Sequence, residues 1–436
     1  MSEKPPSSRS RVASHGHRFV ERPDLFASSA DDIDEQHPPL AAIPPERRMI
    51  HFIKQEQRPR HERQEVDFVA AHVVVPARYR AESRYRSECQ DDGFHDERTG
   101  TIAACDGLGS GGASQLAAHV VTKALREYTL PGHPEIPFFS STFDQTYSDE
   151  EARRAAHVLH QKLHAEVAQF RFRADVRKVC EASVGAREPH LDSSSASFQR
   201  KVQESIENSG TTLALVRPFY DTTGQLKVVC LNVGDSRIYR RRQGQFEQVS
   251  RDHGYIQALA ELGLVQNEHD DQTRFSFQQV TNVLDRLESE LSFLATTDPA
   301  YRIKESQAQA LTILLREFSH RQASELTLYD VGNVCLGWIG REASLDPADI
   351  WIEEAQSGDE YYVMTDQLYE NMTTDMMEKA RSRAGDIAAA ARILCAVAGT
   401  IGIKDDDGTV SAFAVVPTAL TKSRSRGVDP TQHPAL

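Results

Sequence analysis

Aspartates stand where β-prone runs begin or end at four places: Asp91 in "CQDD", Asp106 in "ACDG", Asp366 in "YVMTDQ" and Asp405 to Asp407 in "IKDDDGTV". Taken singly, each is a residue that turns and caps favour. Together they raise a different chemistry, because carboxylates at the ends of neighbouring strands repel one another unless cations offset the charge. Carboxylate oxygens, with a backbone carbonyl and waters, are the donors that hard divalent ions such as Mg²⁺ or Mn²⁺ prefer.

The glycines after Asp106 allow a rival reading. Gly107, Gly109 and Gly112 satisfy the G-x-G-x-x-G spacing that lets a backbone approach a dinucleotide pyrophosphate. That reading needs a strand, the glycines, a helix and then a second buried strand ending in an acid about 20 positions on. The chain instead offers "TLPGHPEIPFFSS", and three prolines exclude a central strand. An aspartate directly before the first glycine would also repel a pyrophosphate. The pyrophosphate reading falls, and a turn that presents Asp106 to a cation is the reading left open.

The elements that must position these residues follow from periodicity. "VDFVAAHVVV" (66–75) and "TIAAC" read as strands, and the apolar residues of 113–128 recur every three or four positions as in one amphipathic helix. A second helical stretch spans about 149–180. Residues 210–250 hold four short β-prone runs separated by turn signals, an antiparallel meander. Three-four spacing returns over 270–322, a helical hairpin inserted in the β framework. Strands resume at 350–365 and 409–416, and "AGDIAAAARILCAVAGTIGI" (384–403), with Asp386 and Arg392 inside it, reads as a buried core helix and not a membrane span. Strands and helices come in blocks without strict alternation, which predicts an α+β fold.

Composition narrows the partners. A formal net charge of −14 argues against nucleic acid or an anionic membrane. The six cysteines are scattered without a C-x-x-C pair, as expected of reduced, buried thiols in a cytoplasmic protein. The N-terminus lacks the apolar run of a secretory signal. Residues 1–63 read as a flexible arm, 64–418 as the folded domain with its insertion, and 419–436 as a flexible tail.

The ordered series "SECQDDGF", "AACDGLGSGGAS", "SGTTLALV", "LNVGDSRIYR", "VSRDHG", "VMTDQLYENMT" and "DDGTVSAFAV" resembles the metal-dependent serine/threonine protein phosphatases of the type-2C (PPM) family, in their bacterial form. The resemblance implies a four-layer α-β-β-α sandwich with two central antiparallel sheets. It implies that Asp106 bridges two ions, Mn²⁺ or Mg²⁺, that the Gly107 carbonyl joins it, and that Asp91, Asp366 and Asp406 complete the pair of sites. Arg86, five positions before Asp91, would hold the substrate phosphate. Asp235 resembles a ligand of a third, looser metal site, where Glu370 stands in place of the usual aspartate. The implied reaction is attack on a phosphoserine or phosphothreonine by a hydroxide bridging two ions roughly 3.5–4 Å apart. The implied partners are a phosphorylated protein and a kinase that opposes the phosphatase.

Two departures bear on that expectation. Leu108 occupies the place of a histidine that animal members carry, and Gln367 replaces the usual glycine after Asp366, where it would crowd the turn. A chain that keeps the fold without turnover, as a binding or sensor module, is the alternative these two residues raise. His253 in "RDHG" is expected to be structural.

Overall fold

A computed structural model describes residues 66–75, 90–108, 113–265, 274–295, 299–318, 325–327, 335, 339–340, 349–401 and 408–417. The expected arm, tail and Cys89 lie outside the described residues. Two five-stranded antiparallel sheets form the centre. One runs β1 (Val66–Val75), β14 (Gly408–Pro417), β13 (Glu360–Met364), β8 (Arg237–Arg242), β9 (Gln245–Gln248). The other runs β12 (Asp349–Glu354), β7 (Leu226–Val233), β6 (Leu213–Tyr220), β3 (Thr101–Cys105), β2 (Asp92–Asp96).

Successive side chains on a strand point to opposite faces, and here both faces are buried. Ile102, Ala104, Ala214, Val216, Val228 and Cys230 of the second sheet meet Ile238, Tyr361, Val363, Phe413 and Val415 of the first in a core between the sheets. The alternate residues Ala103, Cys105, Leu213, Leu215, Val229 and Leu231 face outward into a second core with the helices α1 (Ser114–Tyr128), α2 (Pro137–Ser140), α3 (Asp149–Phe170), α4 (Ala174–Arg187) and α5 (Ala196–Glu207). On the other side Tyr362, Met364, Val410 and Ala412 pack under the helices α9 (Asp366–Asn371), α10 (Thr374–Ser382) and α11 (Ile387–Ile401). The result is the expected α+β sandwich of four layers. In α11 Ile387, Ala391, Leu394 and Ala398 are buried, and each large aliphatic side chain so buried contributes about 1.5–3 kcal/mol. Among the described residues no helix is long and apolar enough to cross a membrane. Cys105, Cys180, Cys230, Cys335 and Cys395 are buried free thiols.

The order of strands corrects the reading of residues 210–250 as one meander. β6 and β7 pair in one sheet, whereas β8 and β9 pair in the other. The chain crosses between sheets at "GDS", where Gly234 takes a φ of +100°, a conformation that costs a residue with a Cβ but not glycine. The helical stretch of 149–180 is likewise two helices, α3 and α4. Ser148 caps the first in a full capping box with Glu151.

The stretch read as an insertion holds α7 (Phe277–Leu291) and α8 (Pro299–Phe318), with a small ribbon of β10 (Arg274–Ser276) and β11 (Glu325–Thr327). With α6 (Tyr255–Glu261) they close over their own apolar cluster, including Tyr255, Leu259, Phe275, Val280, Leu287, Leu311 and Leu314. None of these residues belongs to the three sandwich cores.

Candidate active site

β2 begins where β3 ends, and the register pairs Asp92 with Cys105. One step further along the same antiparallel register sets Asp91 opposite Asp106. The ladder closes there: the Gly107 N–H donates to the Gln90 carbonyl at 3.2 Å, and Gln90 Nε2 donates to Ser114 Oγ at 2.7 Å. Asp91 is 7% exposed and Asp106 half-buried. The density of negative charge registers on Cys105 between them. Burial, then the carboxylates of Asp92, Asp91 and Asp106, push its thiol well above the ordinary value.

Gly107 answers what the glycine after Asp106 is for. A Cβ there would stand 2.5 Å from the Ser114 carbonyl oxygen and 2.6 Å from that of Gln90. Both are backbone atoms, on the first residue of α1 and at the approach to β2. Glycine lets three backbone segments converge beside the two aspartates, a requirement of space. Gly109 and Gly112 lie outside the described residues.

The backbone of Asp106 is held at both ends. Its carbonyl accepts from the Thr212 N–H at 2.9 Å and from Thr211 Oγ1 at 2.8 Å. Its N–H donates to Thr212 Oγ1 at 2.9 Å. Thr212 Oγ1 lies 2.6 Å from Ser236 Oγ, so the hold on Asp106 continues to the neighbour of Asp235. Leu108 pairs with Gly210 in the short β4–β5 ladder, Gly107–Leu108 against Gly210–Thr211.

Asp235 has its own clamp. Its carbonyl accepts from the Tyr369 hydroxyl at 2.9 Å. The Arg237 guanidinium stacks 3.8 Å from the Tyr369 ring centroid and donates to both Asp252 oxygens at 2.6–3.1 Å. Burial works against the Arg237 charge, but Asp252 holds its pKa above the ordinary value. Burial, then Asp235 and Asp252, push the Tyr369 phenol well up, with Asp366 adding to them and Arg237 opposing. Tyr369 therefore senses both Asp235 and Asp366. Glu370 follows it, one helical turn after Asp366 and so on the same side of α9.

Asp366 opens α9. The preceding Thr365 N–H donates to the Thr409 carbonyl at 3.1 Å, and Thr365 Oγ1 accepts from the Thr409 N–H at 2.9 Å. Gln367 is buried, and a Cβ on Gly408 would run into its Oε1 and into Leu368. The expected crowding by Gln367 is thus met by the absence of a side chain at Gly408. Ser411 Oγ, two residues beyond Thr409, donates across the sheets to the Ala103 carbonyl at 2.8 Å. The contacts that run from Asp106 through Thr212 and Ser236 to Asp235, and from Asp235 to Tyr369 beside Asp366, put the Asp366–Thr409 end and the Asp91–Asp106 end together.

Arg86 and Asp406 lie outside the described residues. Among the described residues no group of three or more His, Cys, Asp and Glu side chains stands close enough to hold a metal ion. Asp91 and Asp106, which the register sets opposite each other, carry hard carboxylate oxygens of the kind Mg²⁺ or Mn²⁺ prefers, as does the adjoining Gly107 carbonyl. His253 is structural, as expected. Its Nδ1 accepts from the Gly234 N–H at 3.2 Å, and its own N–H donates back to the Gly234 carbonyl at 2.9 Å.

Sequence reasoning assigned no role to Thr211, Thr212, Ser236, Arg237, Asp252 or Tyr369. Their partners are remote in sequence, and the one local signal is the Ser-Arg pair directly after Asp235.

The model of the family described as protein phosphatase 2C matches residues 80–392, well over half of the chain. The chain belongs to the protein phosphatase 2C family. Its class of enzyme is protein serine/threonine phosphatase, a hydrolase. Solved structures similar to the phosphatase include the catalytic domain of PstP in complex with two manganese ions (17% identity, TM-score 0.43, 80% of this chain and 99% of that one). They also include MsPP from Mycobacterium smegmatis in complex with cacodylate (18%, 0.43, 79% and 97%) and Stp1 from Staphylococcus aureus (14%, 0.47, 82% and 99%). At these identities and TM-scores the family assignment rests on the family model alone. No curated protein matches the phosphatase.

Proposed function

We propose that the phosphatase removes phosphate from phosphoserine and phosphothreonine of protein substrates at the sandwich end that carries Asp91, Asp106 and Asp366. The observation that carries this reading is the continued β2–β3 register, which sets Asp91 against Asp106 while three hydrogen bonds fix the Asp106 backbone. Asp91, Asp106, the Gly107 carbonyl, Asp366 and Asp406 would hold two divalent ions, Mn²⁺ or Mg²⁺. When bound, such ions lower the pKa of water so that it attacks phosphorus near neutral pH.

The chain's own residues do the positioning. Asp106, restrained at its N–H and its carbonyl, keeps its carboxylate aimed with little freedom to lose on binding. Arg86 would grip the non-bridging phosphate oxygens with its forked donors. Asp235 and Glu370, on either side of the Tyr369 clamp, would form the looser third site. Leu108 offers no proton, so the leaving alkoxide takes one from water. The insertion of α7 and α8 is a packed lobe with its own core, and the acidic net charge of the chain gives no footing for nucleic acid.

The test is hydrolysis of a phosphothreonine peptide with Mn²⁺, with EDTA and by an Asp106→Asn variant. We expect turnover that needs the metal and falls by about a hundredfold in the variant. Folded protein that binds Mn²⁺ yet turns over no faster than the variant would refute the reading.

A further inference from the structure

Helix α3 carries two buried imidazoles, His160 and His164, whose Nε2 atoms stand 3.0 Å apart. His164 Nδ1 accepts from the Gly340 N–H at 3.1 Å. That bond fixes the tautomers: with Nδ1 of His164 an acceptor, its proton is on Nε2 and is donated to His160 Nε2. An i,i+4 histidine pair on a helix is also a metal-ligating spacing. Here the facing nitrogens are spent on each other and on Gly340, so the pair serves another purpose.

Gly340 is built onto α3. Its φ is +108°, and a Cβ on it would come within 2.5 Å of Val167 Cγ1, one turn after His164. The preceding residue, Ile339, exchanges both backbone bonds with Thr211: Ile339 N–H to the Thr211 carbonyl at 2.7 Å, and Thr211 N–H to the Ile339 carbonyl at 3.2 Å. At the end of α3 the Arg171 guanidinium donates to the Ser209 carbonyl at 2.7 and 3.3 Å, gripping the chain at the residue directly before β5. Thr211 and Thr212 then hold the Asp106 carbonyl. Thr211, Thr212 and Ile339 are fully buried.

We infer that His164 is a positioning residue for the Asp106 turn, acting through Gly340, Ile339 and Thr211. The outer helical layer thereby reaches through β5 to the residue at the candidate metal centre. A buried acceptor suits this purpose because Gly340 N–H has no water to turn to, and losing its partner would cost the turn its seat on α3. The pairing with His160 orients the His164 ring so that Nδ1 faces Gly340. Burial, with His164 and His157 next, holds the His160 pKa down at about 3, so this end of the chain of bonds stays neutral.

The inference rests on the reading of Asp106 as a metal ligand. The experiment compares full-length wild type with His164→Leu, which removes the acceptor, and His164→Asn, whose Oδ1 sits where Nδ1 did. Two readouts are taken: amide exchange of Thr212 and Gly340, and Mn²⁺ affinity by calorimetry. In His164→Leu we expect exchange at Thr212 to quicken by about tenfold and Mn²⁺ binding to weaken by about tenfold, the low end for outer residues of metal sites. His164→Asn should return both toward wild type, a rescue that simple loss of packing would not give. Should His164→Leu fail to fold, Gly340→Ala lifts the turn off Val167 with both imidazoles intact and should show the same two losses. Wild-type exchange at Thr212 in a folded His164→Leu, or a His164→Asn no better than it, overturns the inference. Asp106→Asn in parallel keeps the two failures apart. If it also binds Mn²⁺ as wild type does, the ligand reading has failed and the inference falls with it. If it loses Mn²⁺ while His164→Leu retains full affinity, the inference alone falls.

Discussion

Gly107→Ala adds one methyl group at the tightest point of the candidate site. The new Cβ would stand 2.5 Å from the Ser114 carbonyl oxygen and 2.6 Å from that of Gln90. Neither neighbour is a side-chain tip that can swing away. Relief requires α1 to separate from the β2–β3 end, and that movement stretches the Gly107 N–H to Gln90 carbonyl bond, already 3.2 Å. Overpacking of this kind costs about 1–3 kcal/mol, and the lost hydrogen bond about 1 kcal/mol more. The expected destabilisation is therefore about 2–4 kcal/mol, read as a fall in the urea midpoint at unchanged slope. The same movement parts Asp91 from Asp106, so Mn²⁺ affinity should fall by about ten- to a hundredfold. Gly185→Ala is the control. It lies inside α4, and the nearest atom to its Cβ is Phe198 Cε2 at 3.9 Å. It should stabilise the protein by about 0.5–1 kcal/mol, because alanine favours a helix. A Gly107→Ala protein with wild-type unfolding and wild-type Mn²⁺ binding would refute the argument that convergence of backbones selects glycine there.

Three further outcomes are expected. Tyr369→Phe removes the hydroxyl that donates to the Asp235 carbonyl and should cost about 1 kcal/mol in urea unfolding, with any Mn²⁺ site at Asp235 weakened before the Asp106 centre in a calorimetric titration. Asp252→Asn leaves the Arg237 guanidinium mostly buried without its counter-charge, and should destabilise by about 3 kcal/mol. The pH dependence of stability should carry the signature of His160, lowered from 6.5 to about 3 by burial, then by His164, His157 and His253. Its folded pKa is depressed, so the unfolded chain takes the proton first. The contribution is complete above pH 6.5 and is lost as pH falls towards 3, at up to about 1.4 kcal/mol per pH unit. His160→Gln keeps an acceptor for His164 and should flatten urea midpoints across that window.

The parts of the molecule that could be read from sequence are those written locally. The helix after Asp106, the strands 66–75 and 409–416 and the buried helix near 387–401 declare themselves through apolar spacing. What could not be read is non-local. Thr212 lies 106 residues from the Asp106 N–H it accepts, and Tyr369 lies 134 from the carbonyl it binds. Neither has a pattern that points to its partner. The division of β6–β7 and β8–β9 between two sheets was hidden for a different reason. Every residue of β6 is buried on one face or the other, so the period-two alternation that marks a single core is lost.

The separate apolar cluster beneath α6, α7 and α8 has a consequence for how this chain can diversify. Residues that share no contact contribute to stability almost independently. Substitutions within Val280, Leu287, Leu311 and their neighbours therefore leave the packing of the sandwich cores untouched, while their cost simply adds to that of changes elsewhere. The lobe can accumulate changes, and with them new surface, while the geometry around Asp91 and Asp106 stays as it is. One module of the enzyme is thus left open to variation while another is held under constraint.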